Sequence, residues 1–259
     1  MLRSKINISK NNIMVPDIIF LIPYRDREEQ KKVFQEKMEI TISKYDKTCE
    51  LYYCFQNDER NFNRGALKNI GFLAMKEKYP DHYQNITFVF NDIDTFPRES
   101  HDLDYATEKN IVKHFFGFTY ALGGIVSIKG SDFELVLGYP NFWGWGYEDT
   151  LLNERVKRNG IVIDRSNFIT INDKSNEKIV QLTHDDNKRV INSREIIYYK
   201  NNNSDNLTDI KELKYTIEDN IINVTYFESK YNEDAKYNNT YDLIKRRVLN
   251  DTRIRMQFL

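Results

Sequence analysis

An α/β fold is predicted by three observations: apolar runs about one strand long, helical stretches between them, and acidic residues directly after the third run. The first run, Asp17-Ile-Ile-Phe-Leu-Ile-Pro23, is continuous rather than alternating and is stopped by proline, as suits a strand buried on both faces. Residues 25–45 then carry Val33, Phe34, Met38 and Ile42 at helical spacing among charges, which completes a first strand–helix unit. Glu50-Leu-Tyr-Tyr-Cys-Phe55 reads as a second strand. Residues 65–79, with Leu67, Ile70, Phe72, Leu73 and Ala74 apolar, read as a second helix ended by Pro80. The third run, Ile86-Thr-Phe-Val-Phe90, closes on Asn91-Asp92-Ile93-Asp94. Strands alternating with helices at this spacing imply right-handed crossovers, and ligands of such sheets bind outside the carboxyl ends of the strands.

Residues 116–146 are glycine-dense and aromatic. A further helix starts at Glu148 and Asp149, acids that suit a helix N-terminus, and continues through Leu151, Leu152 and Val156. Ile161-Val-Ile163 reads as a short strand, residues 212–227 as strands, and residues 231–259 as a charged tail with a candidate terminal helix.

Composition narrows the function. At 40% hydrophobic and 14% aromatic, the 259 residues are too apolar for a disordered chain. With 38 Lys and Arg against 39 Asp and Glu, there is no global field to attract nucleic acid or an anionic membrane, so neither is expected as a partner. No stretch reaches the ~18 apolar residues of a membrane span, and the polar residues 1–12 lack a signal-peptide pattern. A soluble or cytoplasmic protein is the expectation. Cys49 and Cys54 stand without a partner cluster and indicate neither a disulfide framework nor a zinc site. All ten glycines lie between Gly65 and Gly160, so backbone freedom is confined to one central block.

Two motifs in or beside that block carry chemistry. Asp92 and Asp94, two residues apart at a strand end, can face one ligand. Hard oxygen donors of this kind hold Mg²⁺ or Mn²⁺ with open positions for phosphate, which points to a nucleoside diphosphate. Trp143-Gly-Trp-Gly-Tyr-Glu-Asp149 holds both tryptophans of the chain next to two carboxylates, a combination that suits a sugar, stacked on a ring and hydrogen-bonded by the acids.

Taken in order, Pro23-Tyr-Arg-Asp-Arg27, Phe62-Asn-Arg64, Phe90-Asn-Asp-Ile-Asp94, Phe116-Gly-Phe118, Gly123-Gly124, Trp143-Gly-Trp-Gly-Tyr-Glu-Asp149 and finally His184 resemble the β-1,4-galactosyltransferase family, from about residue 17 to 227. The resemblance implies a Rossmann-like, GT-A type mixed sheet flanked by helices, with a polar arm at 1–16, a catalytic domain at 17–227 and a charged extension at 228–259. It implies an inverting, metal-dependent transfer of a hexose from a UDP-sugar to a glycan or glycoconjugate. A catalytically degenerate glycan-binding or scaffold protein is the alternative.

By that resemblance Pro23, Arg25 and Arg27 line the uridine and diphosphate side, Phe62 stacks near the uracil, and Arg64 reaches the donor. Asp94 and His184 ligate Mn²⁺ or Mg²⁺, and Asp92 contacts the nucleotide sugar. Asp149 is the general base, Glu148 and Tyr147 lie at the acceptor, and Trp145 sits on a lid hinged by glycines. Departures from the family pattern also bear on function. Gln181 stands where a methionine ligand is usual. Ala121 replaces a tyrosine before Gly123-Gly124 and leaves room for an N-acetyl group, so galactose and N-acetylgalactosamine both remain open. Tyr147 and Thr150 alter the acceptor side, and Phe115 replaces a usual lysine.

Overall fold

The computed structural model describes residues 14–99, 101–182, 188–190, 193–201, 205–230 and 240–242. The first two strand–helix units and the third strand are as the apolar runs indicate: β1 (Ile18–Tyr24), α1 (Glu28–Ser43), β2 (Cys49–Gln56), α2 (Arg64–Lys78) and β3 (Thr87–Asn91). β1 is the centre, parallel to β2 on one side and to β3 on the other, with Phe20 opposite both Leu51 and Val89. Its alternate residues explain why the run is continuous. Ile19 and Leu21 pack with Leu67, Ile70 and Phe72 of α2, whereas Ile18, Phe20 and Ile22 pack with Phe34 and Met38 of α1.

The short strand β4 (Thr95–Pro97) follows the acidic turn, and the sheet extends beyond β3 through β6 (Ile125–Lys129), antiparallel to β3, and then β5 (Ile111–Gly117), antiparallel to β6. Residues 116–146 are a glycine-dense block in the sequence, yet β6 and the short helix α3 (Gly130–Leu135) lie within it. The glycines mark the ends of these elements rather than one long loop. After α4 (Glu148–Arg158) come β7 (Val162–Asp164) and β8 (Ile169–Thr170), both parallel to β5.

Then follow β9 (Ile179–Gln181), antiparallel to β4, β10 (Lys188–Val190), α5 (Ser193–Asn201), β11 (Lys211–Glu218), β12 (Ile221–Glu228) and β13 (Thr240–Asp242), antiparallel to β10. The β11–β12 hairpin extends the main sheet, β12 running parallel to β2, to give the order β11-β12-β2-β1-β3-β6-β5-β7 with β8 beside β5. The result is a mixed sheet of parallel and antiparallel strands flanked by helices. α5 lies where the sequence pattern leads to no expected helix, and the candidate terminal helix falls largely outside the described residues.

Candidate active site

The carboxyl ends of β1, β2 and β3 open on one edge, and most of the predicted site residues follow them. Pro23 is buried inside β1 opposite Cys54. Just past that strand, the Arg25 guanidinium donates to the carbonyl oxygens of Arg60 at 2.5 Å and Asp58 at 3.3 Å. Arg27 occupies the N-cap position of α1, half-buried. Phe62 lies between two cations, with the guanidinium carbons of Arg25 and Arg64 each 5.5 Å from its ring centre. Buried Gln56 fixes this turn by accepting from the Asn63 N–H at 2.9 Å, and the Asn63 side chain caps α2 by accepting from the Ala66 N–H at 2.9 Å.

Arg64 and Lys68 are one turn apart on α2 and share a face. Facing them are three carboxylates. Arg64 pairs with Glu148 at 3.2 Å and approaches Asp92 at 3.9 Å. The Lys68 ammonium, in a side chain only 1% exposed, donates to Asp149 Oδ1 at 3.1 Å and lies 4.0 Å from Asp92 Oδ1. Two acceptors stay unmet: Asp92 Oδ1 and Glu148 Oε2 are buried and accept no hydrogen bond from the described residues. Burial first, then Glu148 and Asp92, push the Asp149 carboxyl up to about 7 against the opposing pull of Lys68 and Arg64. Burial raises Asp92 too, although Lys68 and Arg64 oppose it.

The Gly123-Gly124 turn ties the two acidic elements together. The Leu122 N–H donates to the Asp149 carbonyl and the Asp92 N–H to the Gly124 carbonyl, both at 2.9 Å. A side chain at Gly123 would put Cβ 2.2 Å from Asp149 Oδ2. Gly124 has φ +72° and leaves only 2.3 Å between such a Cβ and the Phe116 carbonyl. His114 secures the turn from behind. Its Nε2–H is shared between the carbonyls of Phe116 at 3.0 Å and Gly123 at 3.1 Å, while Nδ1 accepts from Arg165 at 3.1 Å. Burial and Arg165 lower its pKa to about 4, so the ring is neutral. Ala121 is buried one residue before Leu122.

Glu148 and Asp149 form the first turn of α4, whose N-cap Tyr147 has φ 76°, a left-handed backbone costly for an aromatic residue. That geometry is the physical reason a glycine suits position 147. The two tryptophans separate: Trp143 is buried in parallel stack with Phe227, ring centres 5.0 Å apart, while half-buried Trp145 and Tyr147 pack against Phe142, Leu151, Ile196 and Tyr199.

On the metal side, the Asp94 carboxylate accepts from Thr95 Oγ1 at 2.9 Å, and its carbonyl accepts from the Leu182 N–H at 2.7 Å. Pairing of β4 with β9 sets exposed Gln181 opposite Thr95. His184 lies outside the described residues. Among the described residues no three His, Cys, Asp or Glu side chains form a metal cluster, and no helix is long and apolar enough to cross a membrane.

Sequence reasoning missed Lys68 and His114. A signal for Lys68 was present: it falls four residues after Arg64 in the mostly apolar stretch of a helix, where a buried lysine needs a charged partner. His114 carried none, because its partners are main-chain carbonyls.

The sheet order, with Asp92-Ile-Asp94 at its carboxyl edge and an acidic helix start opposite, defines the GT-A class. Residues 10–107 match the family described as the N-terminal region of glycosyl transferase group 7, and residues 111–185 match the N-terminal domain of galactosyltransferase, together about two thirds of the chain. The chain belongs to the β-1,4-galactosyltransferase family. It is 29% identical over 161 residues to Beta-1,4-galactosyltransferase 1 of Bos taurus, which is 59% of this chain and 39% of that protein. It is 31% identical over 158 residues to Beta-1,4-galactosyltransferase 2 of Cricetulus griseus, 57% of this chain and 42% of the relative. The chain thus spans about two fifths of the length of these curated relatives. The catalytic domain of Drosophila beta1,4-galactosyltransferase 7, in complex with xylobiose, has the same fold, with a TM-score of 0.65 at 20% identity over 85% of this chain and 97% of that one. A mutant of the Drosophila enzyme is in complex with manganese, UDP-Gal and xylobiose.

Proposed function

We propose that the chain is an inverting, metal-assisted hexosyltransferase that moves galactose or N-acetylgalactosamine from a UDP-sugar to a hydroxyl of a glycan or glycoconjugate, with residues 17–227 as its catalytic domain. The observation that carries this reading is the Asp149 carboxylate. Its side chain is one quarter exposed at the ligand edge of the sheet, beside a buried Glu148 oxygen that lacks a donor. Asp149 accepts the proton of the acceptor hydroxyl as that oxygen attacks the anomeric carbon on the face opposite UDP. Glu148 Oε2 takes a second acceptor hydroxyl, and Tyr147 and Trp145 flank the acceptor, Trp145 closing over the donor.

On the donor side Phe62 stacks on the uracil, Pro23 borders it, and Arg25, Arg27 and Arg64 offer N–H donors to the diphosphate. Asp92 and the Gly123 turn meet the donor sugar. Asp94, Gln181 and His184 would hold Mn²⁺ or Mg²⁺. The carboxylate and amide oxygens suit a hard divalent ion, and β4–β9 pairing carries Gln181 to the Asp94 turn. When bound, such an ion offsets the charge on the departing diphosphate. The family relationship and the manganese, UDP-Gal and xylobiose bound by the Drosophila mutant support the reading.

The test is UDP release from UDP-Gal, UDP-GalNAc, UDP-Glc and UDP-GlcNAc with Mn²⁺. Turnover of at least one, lost in Asp149→Asn, is expected, and no turnover with any donor across an acceptor panel removes the proposal. Because Ala121 is small, Ala121→Tyr should cut use of UDP-GalNAc by roughly tenfold or more relative to UDP-Gal, a difference of order 1–3 kcal/mol in pocket contacts. The second reading, a degenerate glycan-binding or scaffold protein, draws on the strained Tyr147 at the acceptor side. It predicts glycan binding without UDP release.

A further inference from the structure

We infer that Lys68 is a positioning residue for the proposed base, its ammonium fixing which way the Asp149 carboxylate faces and balancing its charge. The inference rests on the reading of Asp149 as the base. Lysine is almost never fully buried unless paired, and this one is 1% exposed on the core side of α2. An ammonium has three protons to donate. Among the described residues its hydrogen bond goes to Asp149 Oδ1, with Asp92 at 4.0 Å and the Tyr139 ring centre at 4.4 Å. Burial disfavours its charge, yet Asp149, Tyr139 and Asp92 hold it above the usual lysine range, so it is an ammonium throughout the working pH.

The other carboxylate oxygen completes the argument. Asp149 Oδ2 rests against Gly123, with no room for a Cβ there, so Lys68 on one oxygen and the Gly123 backbone beside the other define one orientation. The groups facing Asp149 are Lys68 and Arg64 from α2, Asp92 from the turn after β3, Glu148 from its own helix and Tyr139. Removing Lys68 leaves three carboxylates against Arg64 alone. Asp149 then keeps its proton to higher pH and loses the donor that aims it.

Lys68→Met preserves volume and removes the charge, whereas Lys68→Gln keeps an N–H donor without charge. In Lys68→Met, kcat near neutral pH should fall by roughly 10- to 100-fold. The acid limb of its pH profile should move up by about one unit or more, with KM for the UDP-sugar within about twofold. Lys68→Gln should recover part of kcat but keep the shifted limb, and it serves if the methionine variant fails to fold. In an Asp149→Asn background the same substitution should change the residual rate by less than about twofold. An unmoved acid limb in both variants, or an equal loss in the Asp149→Asn background, overturns the inference. Titration of the Asp149 carboxyl by ¹³C NMR decides the matter without turnover. A titration that moves up in Lys68→Met supports the inference, and an unmoved one overturns it. Absent turnover in the unmodified protein would instead count against the base assignment.

Discussion

Two charged clusters sit about one turn of chain apart on either side of Phe62, and they solve opposite problems. In the first, Arg60 chelates Asp58, with Nε to Oδ2 at 2.8 Å, and donates to the Phe227 carbonyl at 2.7 Å. Asp58 also accepts from Gln56 at 2.8 Å, and the guanidinium lies over Trp143, Tyr226 and Phe227 at 4.7, 5.1 and 4.7 Å. Two cations, Arg60 and, at 3.8 Å, Arg25, meet one anion, and the hydrogen bonds close. In the second, Arg64 and Lys68 face Asp92, Glu148 and Asp149, one negative charge in excess, with Asp92 Oδ1 and Glu148 Oε2 unmet. A satisfied buried cluster holds the fold, whereas an unsatisfied one is built to receive a ligand that completes it.

The largest break in this comparison comes from Asp149→Asn. Loss of a general base should lower kcat by about 10²- to 10⁴-fold while UDP affinity, measured by calorimetry, stays within about twofold. In the unmodified protein kcat should rise with pH through about 7, as Asp149 ionises. Stability should move the other way. A carboxyl whose folded pKa lies above its unfolded value binds its proton more tightly when folded, so ionisation destabilises the fold as pH rises from about 4 to about 7. Thermal melts across that window should show Asp149→Asn gaining on the unmodified protein as pH rises. A variant that melts lower at every pH would place Asp149 in the structural class instead.

Next in size is Gly123→Ala. The added methyl meets Asp149 Oδ2 and forces the carboxylate off its seat. Misplacement of a catalytic group by about 1 Å costs on the order of 10²-fold, so kcat should drop by that factor with the fold retained by circular dichroism. An unchanged kcat would mean that the orientation set by Lys68 and Gly123 is irrelevant to transfer.

How much of this was legible from sequence follows from where each signal lives. β1, β2, α2 and β3 were readable because each is a continuous apolar or periodic stretch with a proline or acidic stop. Asp92, Asp94 and Asp149 were readable because their positions at a strand end and a helix start are local. β6 was hidden inside the glycine-dense block, since Gly124 and Gly130 bracket a strand of only five residues. The division of labour between Trp143 and Trp145 was not legible either. It depends on Phe227 and Arg60 arriving from distant parts of the chain. Lys68 resembles any other helix lysine in the sequence, because its partner Asp149 arrives on α4 from 81 residues away.

The smallest effect tests the structural side. Arg60→Met keeps an apolar body under Trp143 and Phe227 but removes the guanidinium. Asp58, whose side chain is 12% exposed, would keep Gln56 and the Arg60 N–H as donors but lose its nearer counter-charge, leaving Arg25 at 3.8 Å. The Phe227 carbonyl would lose its partner as well. Leaving such groups part-satisfied costs about 1–3 kcal/mol, or roughly 3–10 °C in melting temperature for a domain of this size. No group of the Asp149 cluster changes its neighbours, so the pH profile of UDP release should overlay that of the unmodified protein. A shifted acid limb in Arg60→Met would show that the two clusters communicate through Phe62 and Arg25, whose guanidinium rests on the Arg60 carbonyl. The contrast between a closed and an open cluster would then become a single coupled network.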